Sequence, residues 1–325
     1  VGHAPWELVE GEDPRYRTLT VLTTFRDAAR RHLERRAREK EMLRDAPAPS
    51  AASTDRPVTE AVETALDKPL PSVLDGLDMT KKYSKKEYGE ELQKERARLN
   101  GLYTEAKACG ISTVLVFEGW DAGGKGGAIR RMATALDARD YTVVPVAAPT
   151  DEEAARHYLW RFWRHLGRAG RFTIFDRSWY GRVLVERVEG FAAEEEWMRA
   201  YAEINDFEEQ IVQHGTVVCK FWLHVTPEEQ AARFEKRQQV PYKRWKLTEE
   251  DWRNREKWHL YQRAVTDMVE RTSTHLAPWT LVEADSKRYA RVKVIRTVCD
   301  ALEKRLEQAR KDDKGGKKDG KKKKK

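Results

Sequence analysis

The sequence predicts an α/β fold: a parallel central sheet covered by helices on both faces, in three layers. Three observations predict it. Apolar runs of strand length recur between residues 112 and 283, as in strands buried on both faces. Helix-period segments separate them, which lets successive strands run parallel through crossover helices. The first strand leads into a glycine-rich turn and then a helix, the arrangement of a phosphate loop.

In chain order, Ser84 to Lys107 reads as a helix and Ser112 to Glu118 as the first strand, followed by a helix from about Gly127. Further strands are expected at Tyr141 to Ala148, Arg171 to Phe175, Thr216 to Val225 and Trp279 to Glu283. Helical patterns cover Glu152 to Leu166, Glu194 to His214, Pro227 to Gln238 and Thr248 to Arg271, which makes a long helical insertion before the last strand. Thr248 with Asp251 resembles a capping box at the start of that final helix.

At 325 residues, 40% hydrophobic and 36% charged, the chain has room for one large domain or two ordinary ones. No run approaches the roughly 18 apolar residues of a membrane span, and 11 Trp are too many for a disordered chain. Cys109, Cys219 and Cys299 are widely spaced, so neither a disulfide framework nor a structural zinc site is readable, and a reducing, cytoplasmic setting fits. Of the net charge of +8, the last fifteen residues carry +6, which leaves a nearly neutral body. Residues 311–325 are expected to be a disordered Lys-rich tail, with a loose electrostatic tether for a polyanion as the functional alternative.

Ala4 to Glu34 aligns without gaps with Ala277 to Glu307, and 14 of 31 positions are identical, including Ala-Pro-Trp, Leu-Val-Glu and Arg-Tyr. This reads as an internal duplication. Residues 1–45 are then the last strand and helix of a first copy, with about 190 of its residues expected upstream of Val1. Residues 46–72, with Pro47, Pro49, Pro57, Pro69 and Pro71 among Ala, Ser and Thr, read as a linker, and residues 73–310 as a second, whole copy.

Residues 119–127, Gly-Trp-Asp-Ala-Gly-Gly-Lys-Gly-Gly, satisfy G-x-x-x-x-G-K between a strand and a helix. Gly119, Gly123, Gly124, Gly126 and Gly127 let backbone N–H groups converge on phosphate oxygens. The helix N-terminus adds its dipole, and Lys125 neutralises a transferring phosphoryl. A glycine turn with an accidental Lys fits the flanking strand and helix less well. Gly126 stands where such loops ordinarily carry a Ser or Thr ligand for Mg2+, so another group must hold the metal. Asp121 in the loop and Asp176 at the end of a strand are the candidates, beside Arg177, which can grip phosphate with two N–H groups. Asp121 could instead merely close the turn, and Asp176 merely cap the following helix.

Lys236, Arg237 and Lys243-Arg244-Trp245-Lys246 read either as part of a lid over a polyanion or as a solvated face laced with ion pairs to Glu249, Glu250, Asp251 and Glu256. His157, His165, His214, His224, His259 and His275 show no metal-ligand spacing and read as structural or surface groups. The whole set suits phosphoryl transfer to an acceptor that is itself a phosphate. Its oxygens are already ionised, so positioning replaces a general base.

At these motifs the sequence resembles the polyphosphate kinase 2 family, and most closely its polyphosphate:AMP phosphotransferase branch, over about residues 73–307. The likeness lies in FEGWDAGGKGGAIRR, PVAAPTDEEAARHYLWRFWRHL, FDRSWYGRVLVERVEGF, KFWLHVTPEEQAARF, KRWKLTEEDWRNREKW and APWTLVEADSKRYARVKV. It implies a P-loop fold similar to thymidylate kinase, with a helical lid. It implies that Asp121 and Asp176 coordinate Mg2+, for which Mn2+ can substitute, and orient the acceptor phosphate. Lys125 and Arg177 would bind the transferring phosphate, and Arg130, Lys243, Arg244 and Lys246 would hold nucleotide or polyphosphate. Arg131, Arg182, Arg187 and Arg237 are implied as secondary contacts. The tandem arrangement implies transfer from inorganic polyphosphate to AMP, giving ADP; a homo-oligomer without membrane or nucleic-acid partners is expected. Alternatives are polyphosphate-driven phosphorylation of ADP or GDP, an ATP-dependent nucleotide kinase, and a domain that binds polyphosphate without turnover.

Overall fold

The computed structural model describes residues 6–45, 72–240 and 249–322, in two units, Val1–Lys68 and Pro69–Lys325. In the first unit, helix α1 (Pro14–Asp45) starts behind Asp13, whose carboxylate accepts the Arg15 N–H at 2.8 Å. The strand expected ahead of α1 does not form; residues 6–10 carry no sheet pairing. Their counterpart Trp279–Glu283 is a strand because it has a parallel neighbour to complete its backbone hydrogen bonds.

The second unit is built on a five-stranded sheet of order β2-β3-β1-β4-β5, every neighbouring pair parallel. The strands are β1 (Thr113–Gly119), β2 (Tyr141–Pro145), β3 (Phe172–Asp176), β4 (Val217–His224) and β5 (Trp279–Glu283). All five expected strands are present. Helix α2 (Lys85–Ala108) begins with a reciprocal cap in which the Ser84 N–H donates to Glu87 and the Glu87 N–H to the Ser84 hydroxyl. Helix α3 (Lys125–Ala133) follows the phosphate loop.

The single helix expected over Glu152 to Leu166 is broken into α4 (Asp151–Ala154) and α5 (Trp160–Trp163). His157 Nδ1 accepts the Leu159 N–H at 3.4 Å, a local bond that competes with the helical ladder, and Arg156 and Arg164 both stack on Trp160. After β3 come a 3-10 turn (Trp179–Val183), α6 (Val185–Val188) and α7 (Glu194–Gln213); α8 (Pro227–Gln239) follows β4. The helix expected over Thr248 to Arg271 is divided at Lys257 into α9 (Glu249–Glu256) and α10 (Trp258–Thr272). At the division Lys257 leaves the helical backbone conformation, with φ −94° and ψ +23°, and its ammonium pairs with Glu189 at 2.8 Å.

Helix α11 (Lys287–Lys322) packs with α2 and α3 on one face of the sheet, and α7 with α10 on the other. Arg98 pairs with Asp300 and Glu303, and Arg296 with Glu91 and Glu95, across the α2–α11 seam. Partly exposed pairs are worth at most about 1 kcal/mol each, so the fully buried Leu99, Ala106, Ile295, Cys299 and Leu302 carry that association. Of the tail expected at residues 311–325, residues 311–322 continue α11, and residues 323–325 lie outside the described residues. Extending an anchored helix needs no new nucleus, and Gln308 donates to Asp312 one turn on, at 2.9 Å. Among the described residues no helix is long and apolar enough to cross a membrane.

Candidate active site

The site lies where β1, β3 and β4 end side by side, the edge at which open parallel sheets bind ligands. The chain leaves β1 at Gly119 with φ +147°, against the Leu223 backbone, where a Cβ would come within 2.5 Å of the Leu223 carbonyl. Only glycine turns here. Ala122 follows at φ +59° and Gly124 at +108°, and α3 opens at Lys125, two residues earlier than expected.

Lys125 Nζ donates to the carbonyl of Gly119 at 2.6 Å, which holds the ammonium at the mouth of the loop. Asp121 is gripped from two sides: Arg177 Nη2 lies 3.5 Å from Oδ1, and Asn254 Nδ2 donates to Oδ2 at 3.0 Å. Asn254 is itself fixed by Tyr261, whose hydroxyl donates to its carbonyl oxygen at 3.2 Å. Gln230 donates to the Asp121 carbonyl at 3.1 Å. Arg177 sits at φ +66°, a strained conformation for any residue with a Cβ, tied down by its N–H bond to the Phe117 carbonyl at 3.0 Å. Beside it, Ser178 donates to the buried Glu118 at 2.8 Å; burial pushes the Glu118 carboxyl up, against the pull of Lys125, Ser178 and Arg177. Asp176 closes β3 against the loop, its Oδ2 3.6 Å from where a Cβ on Gly126 would be.

Beside the loop is an open cleft with about 630 Å3 of empty space, and Asp176 is not among the residues that line it. Gly119, Asp121, Lys125 and Arg177 line one side, and Leu184, Val185, Trp222 and Tyr261 form an apolar wall. Beneath, Trp120 donates through Nε1 to His224 Nδ1 at 3.1 Å. An indole only donates, so His224 Nδ1 is unprotonated, and burial lowers that imidazole from 6.5 to about 4. The turn after Arg177 rests on a buried network. Glu208 accepts from Trp179 and Tyr180, and Lys220 Nζ donates to Glu208 at 2.7 Å and to the Thr272 carbonyl at 2.7 Å.

Other residues singled out from sequence lie elsewhere. Arg130 is exposed on α3, and Arg131 Nη1 donates to the Gly127 carbonyl at 3.1 Å. Arg182 pairs with Glu186 at 3.1 Å and stacks on Tyr158; Arg187 pairs with Asp267 at 2.7 Å and stacks on Trp197. Neither lines the cleft. Arg237 lies in the last turn of α8, while Lys243, Arg244, Lys246 and Thr248 lie outside the described residues.

Sequence reasoning missed Asn254, Gln230, Arg233, Glu118 and the support from His224. A helix that follows β4 must begin at the carboxyl edge, so Gln230 and Arg233, three apart on α8, had a readable signal. Asn254 had none, because it reaches Asp121 only through the fold of the helical insertion.

Among the described residues no three His, Cys, Asp or Glu cluster into a metal cage. Mg2+ retains waters and binds substrate phosphates, so it asks for only one or two carboxylates, and Asp121 in the loop and Asp176 at the end of β3 are the donors available at this edge of the sheet.

A family model described as polyphosphate kinase 2 matches residues 82–310. A polyphosphate:AMP phosphotransferase of Pseudomonas aeruginosa is 53% identical over 301 residues, 93% of this chain and 58% of that protein. A Ruegeria pomeroyi protein named NDP-polyphosphate phosphotransferase 3 is 37% identical over 218 residues, 67% of this chain and 72% of its own. The crystal structure of a Pseudomonas aeruginosa chain described as polyphosphate kinase 2 superposes with a TM-score of 0.80 at 50% identity, covering 95% of this chain and 60% of that one. The chain thus spans less than two thirds of the length of its Pseudomonas relative. The match over residues 82–310 takes in the phosphate loop, all five strands and the helical insertion, and the chain belongs to the polyphosphate kinase 2 family.

Proposed function

We propose that this chain transfers the terminal phosphoryl group of inorganic polyphosphate to AMP, giving ADP and a polyphosphate one unit shorter. The observation that carries this reading is the convergence of Lys125, Arg177 and Asp121 in one cleft at the start of α3. Lys125 and Arg177 offset charge on the transferring group, and the first N–H groups of α3, which have no carbonyl one turn back, are donors for it. The phosphate of AMP attacks as an ionised oxygen and needs no base, only alignment. Asp121 and Asp176 would hold Mg2+, or Mn2+ in its place; when bound, the ion screens donor and acceptor phosphates from one another. Asn254 and Gln230 keep Asp121 in its orientation, while Leu184, Val185 and Trp222 limit water at the transfer point. Arg130, Arg237, Lys243, Arg244 and Lys246 are assigned to the longer reach of the polyphosphate chain. The name of the Pseudomonas relative favours AMP as acceptor. Three free cysteines suit turnover in the reducing cytoplasm.

The test is to incubate the purified chain with Mg2+, long-chain polyphosphate and, separately, AMP, ADP or GDP, and to resolve nucleotide products chromatographically. ADP formed from AMP without added ATP is the expected result. Turnover of ADP or GDP but not AMP would reassign the acceptor, and no product from any of them would refute the reading.

A further inference from the structure

Arg233 of α8 is only 5% exposed, and its guanidinium joins two turns that are distant in sequence. Nη1 donates to the carbonyls of Ala122 at 2.8 Å and Gly123 at 3.2 Å, both in the phosphate loop. Nη2 donates to the carbonyls of Ala284 at 2.6 Å and Asp285 at 2.9 Å, in the turn after β5. Nε donates to Glu229 at 2.6 Å. The five N–H groups of a guanidinium thus meet five acceptors in a fixed fork.

The loop it holds is unusual in its backbone on either side of Gly123. Ala122, at φ +59°, is in a conformation that a residue with a side chain rarely adopts, and Gly124 at +108° is closed to most others. Two successive peptide planes therefore have their carbonyls turned toward Arg233. In a trans peptide the C=O and N–H point oppositely, so each carbonyl drawn to Arg233 sends the next N–H the other way. For the Ala122–Gly123 plane that N–H closes the turn onto the Trp120 carbonyl at 2.9 Å. For the Gly123–Gly124 plane it points away from Arg233, directly before α3 begins.

We infer that Arg233 is a positioning residue for the phosphate donor. It sets the peptide planes of residues 122–124 so that the Gly124 N–H joins the first N–H groups of α3 in one cradle, and it touches no substrate itself. Lysine cannot replace it, because an ammonium offers three donors from a single point and cannot span both turns. The inference rests on the phosphotransferase reading for its kinetic readout alone.

The experiment compares wild type, Arg233→Lys and Arg233→Ala by calorimetric titration with tripolyphosphate and by steady-state kinetics in both substrates. Arg233→Lys is expected to lose affinity for tripolyphosphate and kcat by on the order of tenfold to a hundredfold, with KM for AMP held within about twofold. Arg233→Ala is expected to regain turnover when guanidinium ion is added, and not with the same concentration of sodium chloride. Wild-type tripolyphosphate affinity and kcat in Arg233→Lys would overturn the inference. So would equal losses for donor and acceptor, or a folded Arg233→Ala that guanidinium does not rescue. If Arg233→Ala fails to fold, the Arg233→Lys titration decides alone. A wild-type chain that binds tripolyphosphate but turns over no AMP refutes the activity, and the titration still decides Arg233.

Discussion

The indole of Trp120, inside the phosphate loop, lies parallel to that of Trp258 at the start of α10, with ring centroids 3.6 Å apart and planes 7° apart. A close face-to-face sandwich is not the geometry that ring quadrupoles prefer, so the neighbours must impose it. Trp222 and Tyr261 meet Trp120 edge-on at 5.8 Å and 6.1 Å, and His224 fixes its N–H. The helical insertion is thereby keyed to the glycine-rich loop ahead of α3. Trp258→Ala is expected to cost about 2 kcal/mol in urea denaturation and to shift the tryptophan emission, while Trp258→Phe costs less than about half of that.

His224 gives the fold a dependence on pH. Its folded-state value of about 4 lies below the ordinary 6.5, so the unfolded chain binds more protons between these limits. The associated stability is complete above pH 6.5 and is lost as pH falls toward 4, by up to about 3 kcal/mol. Protonation at Nδ1 would also break the bond from Trp120. Thermal midpoints between pH 7 and pH 4.5 should fall more steeply for the wild type than for His224→Gln, whose side chain can accept from Trp120 without titrating. Parallel curves would contradict this.

Two glycines of the same loop should respond oppositely to substitution. Gly119→Ala puts a Cβ 2.5 Å from a backbone oxygen at φ +147°, and should lose on the order of 3 kcal/mol or more. Gly126→Ser has ordinary contact at 3.6 Å from Asp176 and should stay within about 1 kcal/mol of wild type. Thermal denaturation of the two variants side by side is the check.

Beneath Arg177, Lys220 and Glu208 are buried as a pair. Lys220→Met leaves the carboxylate without its cation and is expected to cost about 3–5 kcal/mol. Adding Glu208→Gln should restore more than half of that loss, because the amide keeps an acceptor for Trp179 and Tyr180. A double-mutant cycle in denaturant measures the recovery.

The strands and the phosphate loop were readable from sequence because each rests on a local rule: apolar runs of strand length, and glycines between a strand and a helix. Asp176 could be assigned to the edge for the same reason, since the strand that carries it ends there. Breaks in the long helices were not readable. At the division Lys257 meets Glu189, far away in sequence, and at the earlier break the His157 side chain turns back to the local backbone, contacts that no local pattern announces. Arg182 and Arg187 show the limit for the site itself. The family resemblance implied them as secondary contacts to nucleotide or polyphosphate, and in the fold they pair with partners brought by α6, α7 and α10.

The central claim is direct transfer from polyphosphate to the phosphate of AMP at the loop bearing Lys125. The most direct measurement is a 31P NMR time course of the wild-type chain and of Lys125→Ala, each with Mg2+, AMP and long-chain polyphosphate. The account predicts that the two ADP resonances grow as the AMP signal declines in the wild type, and that a folded Lys125→Ala shows neither change. Equal rates in the two proteins, or an unchanged AMP signal with folded wild type, would contradict it.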